Sequence, residues 1–179
     1  SGANFTLQRG GSLSLQAGGE EGIHLGGDIT GAGATVSVTT KSVAAGVPPL
    51  AGGITLAAGQ RIDVAGDFVN QRRDGGLAGT AVAGGKVTLS SATGLDLQAG
   101  SSIDVSGGAT VSSSGGLTGT RAGSISLTAN TEAKEQGFQA VELGASLKGH
   151  TLAGNTTKAF NDVGDASTGK LSLKVGEID

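Results

Sequence analysis

One short phrase recurs along this chain and limits its fold more than any other feature. It reads Ser12-Leu13-Ser14-Leu15, Thr35-Val36-Ser37-Val38, Lys86-Val87-Thr88-Leu89, Ser124-Ile125-Ser126-Leu127 and Lys170-Leu171-Ser172-Leu173. Alternation of period two puts each aliphatic pair on one face of a β-strand and the hydroxyl residues on the other. A second phrase follows, as Ile23-His24-Leu25, Ile54-Thr55-Leu56, Leu95-Asp96-Leu97 and Val141-Glu142-Leu143. A third comes soon after it, as Ile29-Thr30-Gly31, Ile62-Asp63-Val64, Ile103-Asp104-Val105 and Leu147-Lys148-Gly149. The three phrases return in a fixed order. Residues 54–66 and 95–107 match best, sharing aliphatic-x-Leu-x-Ala-Gly-x-x-Ile-Asp-Val-x-Gly at an offset of 41 residues.

The interval between first phrases is uneven, from 23 residues (Leu13 to Val36) to 51 (Val36 to Val87). A solenoid tolerates such variation because each repeat contacts only its neighbours and insertions can leave as loops. The shortest interval is what three short strands and three tight Gly turns require. The expected fold is therefore all-β: a parallel β-helix of about four triangular coils with long inserted loops, forming one segment over residues 1–179. Stacking would place Leu13, Val36, Val87, Ile125 and Leu171 in one interior ladder, beside Leu15, Val38, Leu89, Leu127 and Leu173. An antiparallel sandwich also uses alternating strands, but it does not explain why three phrases return in one order with nearly the same corner glycines.

Composition agrees with stacked coils. Gly supplies 35 of 179 residues without a three-residue period, and only two Pro accompany it, which excludes collagen. With four Phe and no Trp or Tyr, a core must come from Leu, Ile and Val. There is no Cys, hence no disulfide framework, thiolate metal site or thiol nucleophile. The net charge of −3, without a basic stripe or stacking aromatics, excludes a nucleic-acid binder. No apolar run approaches the ~20 residues of a helical membrane span. The chain starts Ser1-Gly2-Ala3 without Met and shows no polar cap at either end. Asn4-Phe5-Thr6-Leu7 reads as the third strand of a preceding coil and Glu177-Ile178-Asp179 as the second strand of a following one. The expectation is a processed piece of a longer β-helix.

Two segments carry a family resemblance: Gly11-Ser12-Leu13-Ser14-Leu15-Gln16-Ala17-Gly18, and Gly94-Leu95-Asp96-Leu97-Gln98-Ala99-Gly100 continuing through Ser101-Ser102-Ile103-Asp104-Val105-Ser106-Gly107. These repeats resemble the shaft of filamentous-haemagglutinin-like exoproteins of two-partner secretion systems in Gram-negative bacteria. The resemblance implies a right-handed rod, export through an outer-membrane transporter, a secreted or cell-surface location, and roles in adhesion, biofilm or cell–cell contact. It implies neither an enzyme nor a cofactor. Neither the family's secretion-domain signature nor a toxin tip is present, so a mid-shaft origin is expected.

Several residue sets invite a chemical reading. Stacking would bring Asp63 within about one strand spacing of Asp104, and Asp96 within the same distance of Glu142. Carboxylates ~5 Å apart suit a retaining glycosidase, so a carbohydrate-active β-helix enzyme is the alternative reading. Repulsion between solvated charges at that distance is only about 1 kcal/mol, so such pairs also persist on surfaces without purpose. The same carboxylates invite a cation, but the Gly-Gly-x-Gly-x-Asp repeat of calcium-binding β-rolls does not occur. His24 and His150 are isolated, and the Gly-rich stretches lack a phosphate-binding Lys.

The inserted loops, 66–85, 107–123 and 149–169, all leave after the third phrase, so stacking would cluster them along one edge, where binding to a glycan or surface receptor would concentrate. Residues 75–80 and 115–120 share Gly-Gly-Leu-x-Gly-Thr. The most decorated loop carries Asp67 and the expected surface-binding set Phe68, Asn70, Gln71, Arg72, Arg73 and Asp74. Thr131 reads as the N-cap of one helical turn ahead of Phe138. Self-assembly through open coil edges is a third reading.

Overall fold

The computed structural model describes residues 2–18, 22–41, 53–73, 79–129, 141–153, 156–158 and 168–175. The described chain is all-β. Its strands are β1 (Phe5–Thr6), β2 (Ser12–Gly18), β3 (Ile23–Leu25), β4 (Ile29–Thr30), β5 (Thr35–Lys41), β6 (Ile54–Leu56), β7 (Arg61–Asp63) and β8 (Phe68–Asn70). They continue as β9 (Lys86–Ser91), β10 (Leu95–Leu97), β11 (Ser102–Asp104), β12 (Ala109–Val111), β13 (Leu117–Gly119) and β14 (Ser124–Ala129). The last are β15 (Val141–Leu143), β16 (Ser146–Lys148), β17 (Thr151–Ala153), β18 (Thr156–Lys158) and β19 (Lys170–Val175).

Three parallel sheets hold the repeated phrases, one sheet per phrase. The first has the order β19-β14-β9-β5-β2, the second β15-β10-β6-β3, and the third β1-β4-β7-β11-β16. Along the chain the strands visit first, second and third sheet in the same cyclic order, four times over, before β19 returns to the first. Register follows the repeats. Leu13 pairs with Val36, Val36 with Val87, Val87 with Ile125, and Ile125 with Leu171. Leu95 lies between Ile54 and Val141, and Ile103 between Ile62 and Leu147. Phe5 pairs with Ile29, so the Asn4–Leu7 segment does occupy a third-sheet position.

The inward residues of all three sheets form one core. Val36, Val38, Ile54, Leu56, Ile62, Leu89, Leu97 and Ile103 are completely buried. Each contributes roughly 1.5–3 kcal/mol by leaving water. Burial weakens toward the outer strands, where Leu13 and Leu15 are only partly covered and Leu173 is 50% exposed. At the last inward position of β5 and β9 the column turns polar. Thr40 Oγ1 lies 3.1 Å from Ser91 Oγ and accepts the Ala92 N–H at 3.2 Å, so a buried hydroxyl pair serves the corner backbone.

The strands depart from the sequence expectation in small, explicable ways. First-sheet strands run two or three residues further than the phrases, because Gln16, Thr39, Ser90, Thr128 and Lys174 continue the alternation. In the third sheet, β7, β11 and β16 start one residue earlier than the phrases and end at Asp63, Asp104 and Lys148. The second-sheet strands match residue for residue. Between second and third sheets, Gly59 (φ +76°) and Gly100 (φ +83°) sit third in turns closed by Gln60 N–H to the Ala57 carbonyl and Ser101 N–H to the Gln98 carbonyl, both 3.1 Å. Type II geometry demands positive φ there, which is why the shared pattern carries Gly.

The largest departure lies in the inserted loops, which contain strands of their own. β8 pairs in parallel with β12, and β12 turns back on β13 in an antiparallel hairpin. A second hairpin joins β17 to β18. The segments around Thr131 and 177–179 lie outside the described residues.

Replacing a rung centre by Ala should expose how the core is weighted. Leu89→Ala is expected to cost about 2–5 kcal/mol, whereas Leu173→Ala, already half exposed, should cost less than about 1 kcal/mol. Urea unfolding of the two variants measures the difference.

Candidate functional site

The inserted loops are laced together along one edge, beginning with Arg9 in the turn between β1 and β2. Its guanidinium meets the Asp67 carboxylate bidentately, with Nε 2.9 Å from Oδ2 and Nη2 3.2 Å from Oδ1, and also donates to the Thr80 carbonyl. Asp67 Oδ1 accepts the Val82 N–H at 2.7 Å. Ala81 N–H donates to Thr110 Oγ1 of the next loop at 2.8 Å. Thr120 Oγ1 donates to the Val82 carbonyl at 3.0 Å and accepts the Gly108 N–H at 2.7 Å, and its own carbonyl receives the Thr151 hydroxyl at 2.6 Å. The column therefore runs from the β1–β2 turn through all three inserted loops.

Asp67 is the electrostatic pivot of that column. Partial burial raises its pKa, but the Val82 amide and the Arg9 guanidinium outweigh this and hold it below its ordinary value of 3.8. Asp67 thus departs from the surface-binding group it sits beside in sequence: it fixes the loop rather than offering itself to a ligand.

The expected binding set divides in two. Phe68 is 65% exposed on β8, and Arg72 and Arg73 are exposed in the turn that follows. Asn70 and Gln71 are occupied internally. Asn70 Oδ1 accepts the Arg72 N–H at 3.2 Å, Gln71 N–H donates to the Val111 carbonyl at 2.9 Å, and Gln71 Nε2 reaches the Gly79 carbonyl at 3.4 Å. Asp74 lies outside the described residues. Leu117, which the sequence did not single out, is 46% exposed. Register places Phe68 beside Ala109, and Asn70, Val111 and Leu117 in the next row of the same face. The Arg72 guanidinium crosses to the neighbouring loop, 3.3 Å from where a Cβ on Gly115 would sit. The edge thus presents a small face of Phe68, Val111 and Leu117 with Arg72 beside it. The Gly-Gly-Leu of 115–117 was the available signal for Leu117, since it puts a large apolar side chain at the end of a loop strand.

The carboxylate pairs do stand on adjacent rungs, Asp63 opposite Asp104 and Asp96 opposite Glu142. One oxygen each of Asp63, Asp104 and Asp96 is engaged locally. Asp63 Oδ1 accepts the Ala65 N–H at 3.2 Å and Asp104 Oδ1 the Ser106 N–H at 2.9 Å, the two-residue turn that Asp favours. Asp96 Oδ2 accepts from Gln98 Nε2 at 3.1 Å, while Gln98 Oε1 takes the Ala58 N–H at 3.0 Å. Lys148 occupies the rung beyond Asp104. Among the described residues no group of three or more His, Cys, Asp or Glu side chains is placed to hold a metal ion. No family model, curated protein or solved structure matches the chain.

Two outcomes follow from this geometry. Because the folded pKa of Asp67 is depressed, its stabilising contribution is full above its ordinary pKa and disappears as pH falls through the lower folded value. Asp67→Asn should therefore cost about 0.5–1 kcal/mol at neutral pH, an Arg9 pair of this exposure being well screened. The cost should shrink toward zero as pH drops below about 4, as followed by thermal unfolding of both proteins across pH. For the rung carboxylates, Asp104→Asn keeps an acceptor for Ser106 and should leave stability within about 0.5 kcal/mol, while Asp104→Ala should cost about 1 kcal/mol.

Proposed function

We propose that this chain is a right-handed parallel β-helix segment of a secreted or cell-surface adhesin-type protein, whose role is structural and adhesive rather than catalytic. The cyclic return of three parallel sheets in repeat register is the observation that carries the reading. In this reading each cycle is one triangular coil, residues 1–179 form a single shaft segment, and the inserted loops line one edge of it. Coils of a longer parent chain would cover Leu13, Leu15 and Leu173, the partly buried rungs. Export would use an outer-membrane transporter, as the sequence resemblance implies.

The edge face of Phe68, Val111, Leu117 and Arg72 is the proposed point of weak contact with a glycan or a receptor on a host or bacterial surface. An exposed aromatic ring and a guanidinium on a laced, preordered edge lose little freedom on binding. Catalysis by the rung carboxylates finds less support, because Asp63 and Asp104 each already accept a backbone N–H of their own corner.

Adhesion of the purified protein to bacterial and epithelial cell surfaces tests the reading. A Phe68→Ala, Arg72→Ala double variant should bind at least about fivefold more weakly with an unchanged unfolding midpoint, since both side chains are exposed. Adhesion unaltered by the double variant would remove the edge face from the proposal. Hydrolysis of a polysaccharide that depends on Asp63 or Asp104 would replace the adhesive reading with an enzymatic one.

A further inference from the structure

The outer face of the first sheet differs in charge from the rest of the molecule. The chain carries 15 acidic and 12 basic residues, yet none of the five strands of this sheet contains an Asp or Glu. Its charged residues are Lys41, Lys86, Lys170 and Lys174, all at outward positions of the alternation. Between them run columns of hydroxyl side chains, among them Ser37, Thr88 and Ser126 on consecutive rungs. The strand carboxylates Asp63, Asp96, Asp104 and Glu142 all project from the other two sheets.

Where the chain enters this sheet there is an open groove of about 410 Å³, lined by Gly84, Gly85 and Gly123 with Lys86, Arg121 and Lys170 around it. Its floor is backbone because nothing else fits. A Cβ on Gly85 would lie 1.9 Å from the Ala34 carbonyl oxygen, and one on Gly123 1.7 Å from that of Gly85. Lys86 and Lys170 flank Ser124 on successive rungs, which separates their backbones by about 9.6 Å. Both ion pairs among the described residues lie elsewhere, Arg9 with Asp67 and Arg61 with Asp28. The groove therefore gathers three cations with no carboxylate among its described lining residues.

We propose that this groove and the hydroxyl face beside it bind an acidic polysaccharide. Lys86, Lys170 and Arg121 pair with its carboxylate or sulfate groups, and the Ser and Thr columns hydrogen-bond its sugar hydroxyls. Two cations set two rungs apart suit a polymer whose charges recur at regular intervals, in a way that a single small anion does not use. Among the described residues, the lining holds no aromatic side chain on which a nucleobase could stack and no apolar side chain larger than Ala122 to anchor a peptide. The inference uses only strand register and charge placement, so it stands or falls separately from the adhesive reading and from the edge face.

Binding to immobilised dextran sulfate and to polygalacturonate, with neutral dextran and duplex DNA as comparators, tests it. Both acidic polysaccharides should bind at low salt and weaken steeply as ionic strength rises. A Lys86→Gln, Lys170→Gln double variant should bind at least about tenfold more weakly, or about 1.4 kcal/mol. Arg121→Gln should weaken binding in the same direction, and Lys148→Gln, on the third sheet, should leave it unchanged. Circular dichroism of each variant establishes that the strands persist, and Arg121→Gln, outside any strand, keeps the test decisive if the double variant does not fold. Equal retention by the double variant and the parent protein would overturn the proposal. So would equal loss with Lys148→Gln, equal binding of neutral dextran, or equally tight binding of DNA.

Discussion

Everything else in this molecule depends on the in-register stacking of inward aliphatic side chains. Each rung of Val36, Val87 and Ile125, or of Ile54 and Leu95, lies against a residue of similar shape on the next strand. A slip of one residue would send every such side chain to solvent and bring Ser, Thr or Asp inward, so the hydrophobic pattern alone enforces register. Once register is fixed, the outward positions also form columns, and their chemistry is set by what each repeat happens to carry. The charge-segregated face, the rung carboxylates and the common edge of the inserted loops are all consequences of that one constraint.

The second-sheet strands were legible to the residue because each is an aliphatic-x-aliphatic triplet with a glycine at one end or both, and this leaves little choice of pairing. The third-sheet strands were displaced by one, and the reason is local. Val64 and Val105 are fully buried, as an alternating strand demands, but the Asp before each turns its carboxylate onto the N–H two residues ahead. The ladder therefore closes at the Asp while burial continues past it. The loop strands were not legible at all. Phe68-Val69-Asn70 and Ala109-Thr110-Val111 share no repeated phrase, and their pairing spans 41 residues with β12 also closing on β13.

The candidate sites show the same division. That Asp63 faces Asp104 could be read from the repeat offset, because register is a property of the backbone. What the carboxylates do could not, because it depends on a side-chain rotamer that turns them inward to their own corner. Arg9 and Asp67 are 58 residues apart, and no spacing in the sequence announces their pairing. The acid-free face escaped notice for a different reason: a net charge averages over all faces, whereas the three sheets sort acidic and basic residues by repeat phrase.

The parallel in-register stack is tested most directly by a long-range distance along the first sheet. Ser14 and Ser172 are outward residues on its two edge strands, 158 residues apart in the chain and joined by the rungs Ser37, Thr88 and Ser126. Four strand spacings put their backbones about 19 Å apart. Pulsed electron paramagnetic resonance on a Ser14→Cys, Ser172→Cys protein, spin-labelled at both sites, should give a single narrow distribution near 2 nm. A broad distribution, or one centred beyond about 3 nm, would contradict the stack.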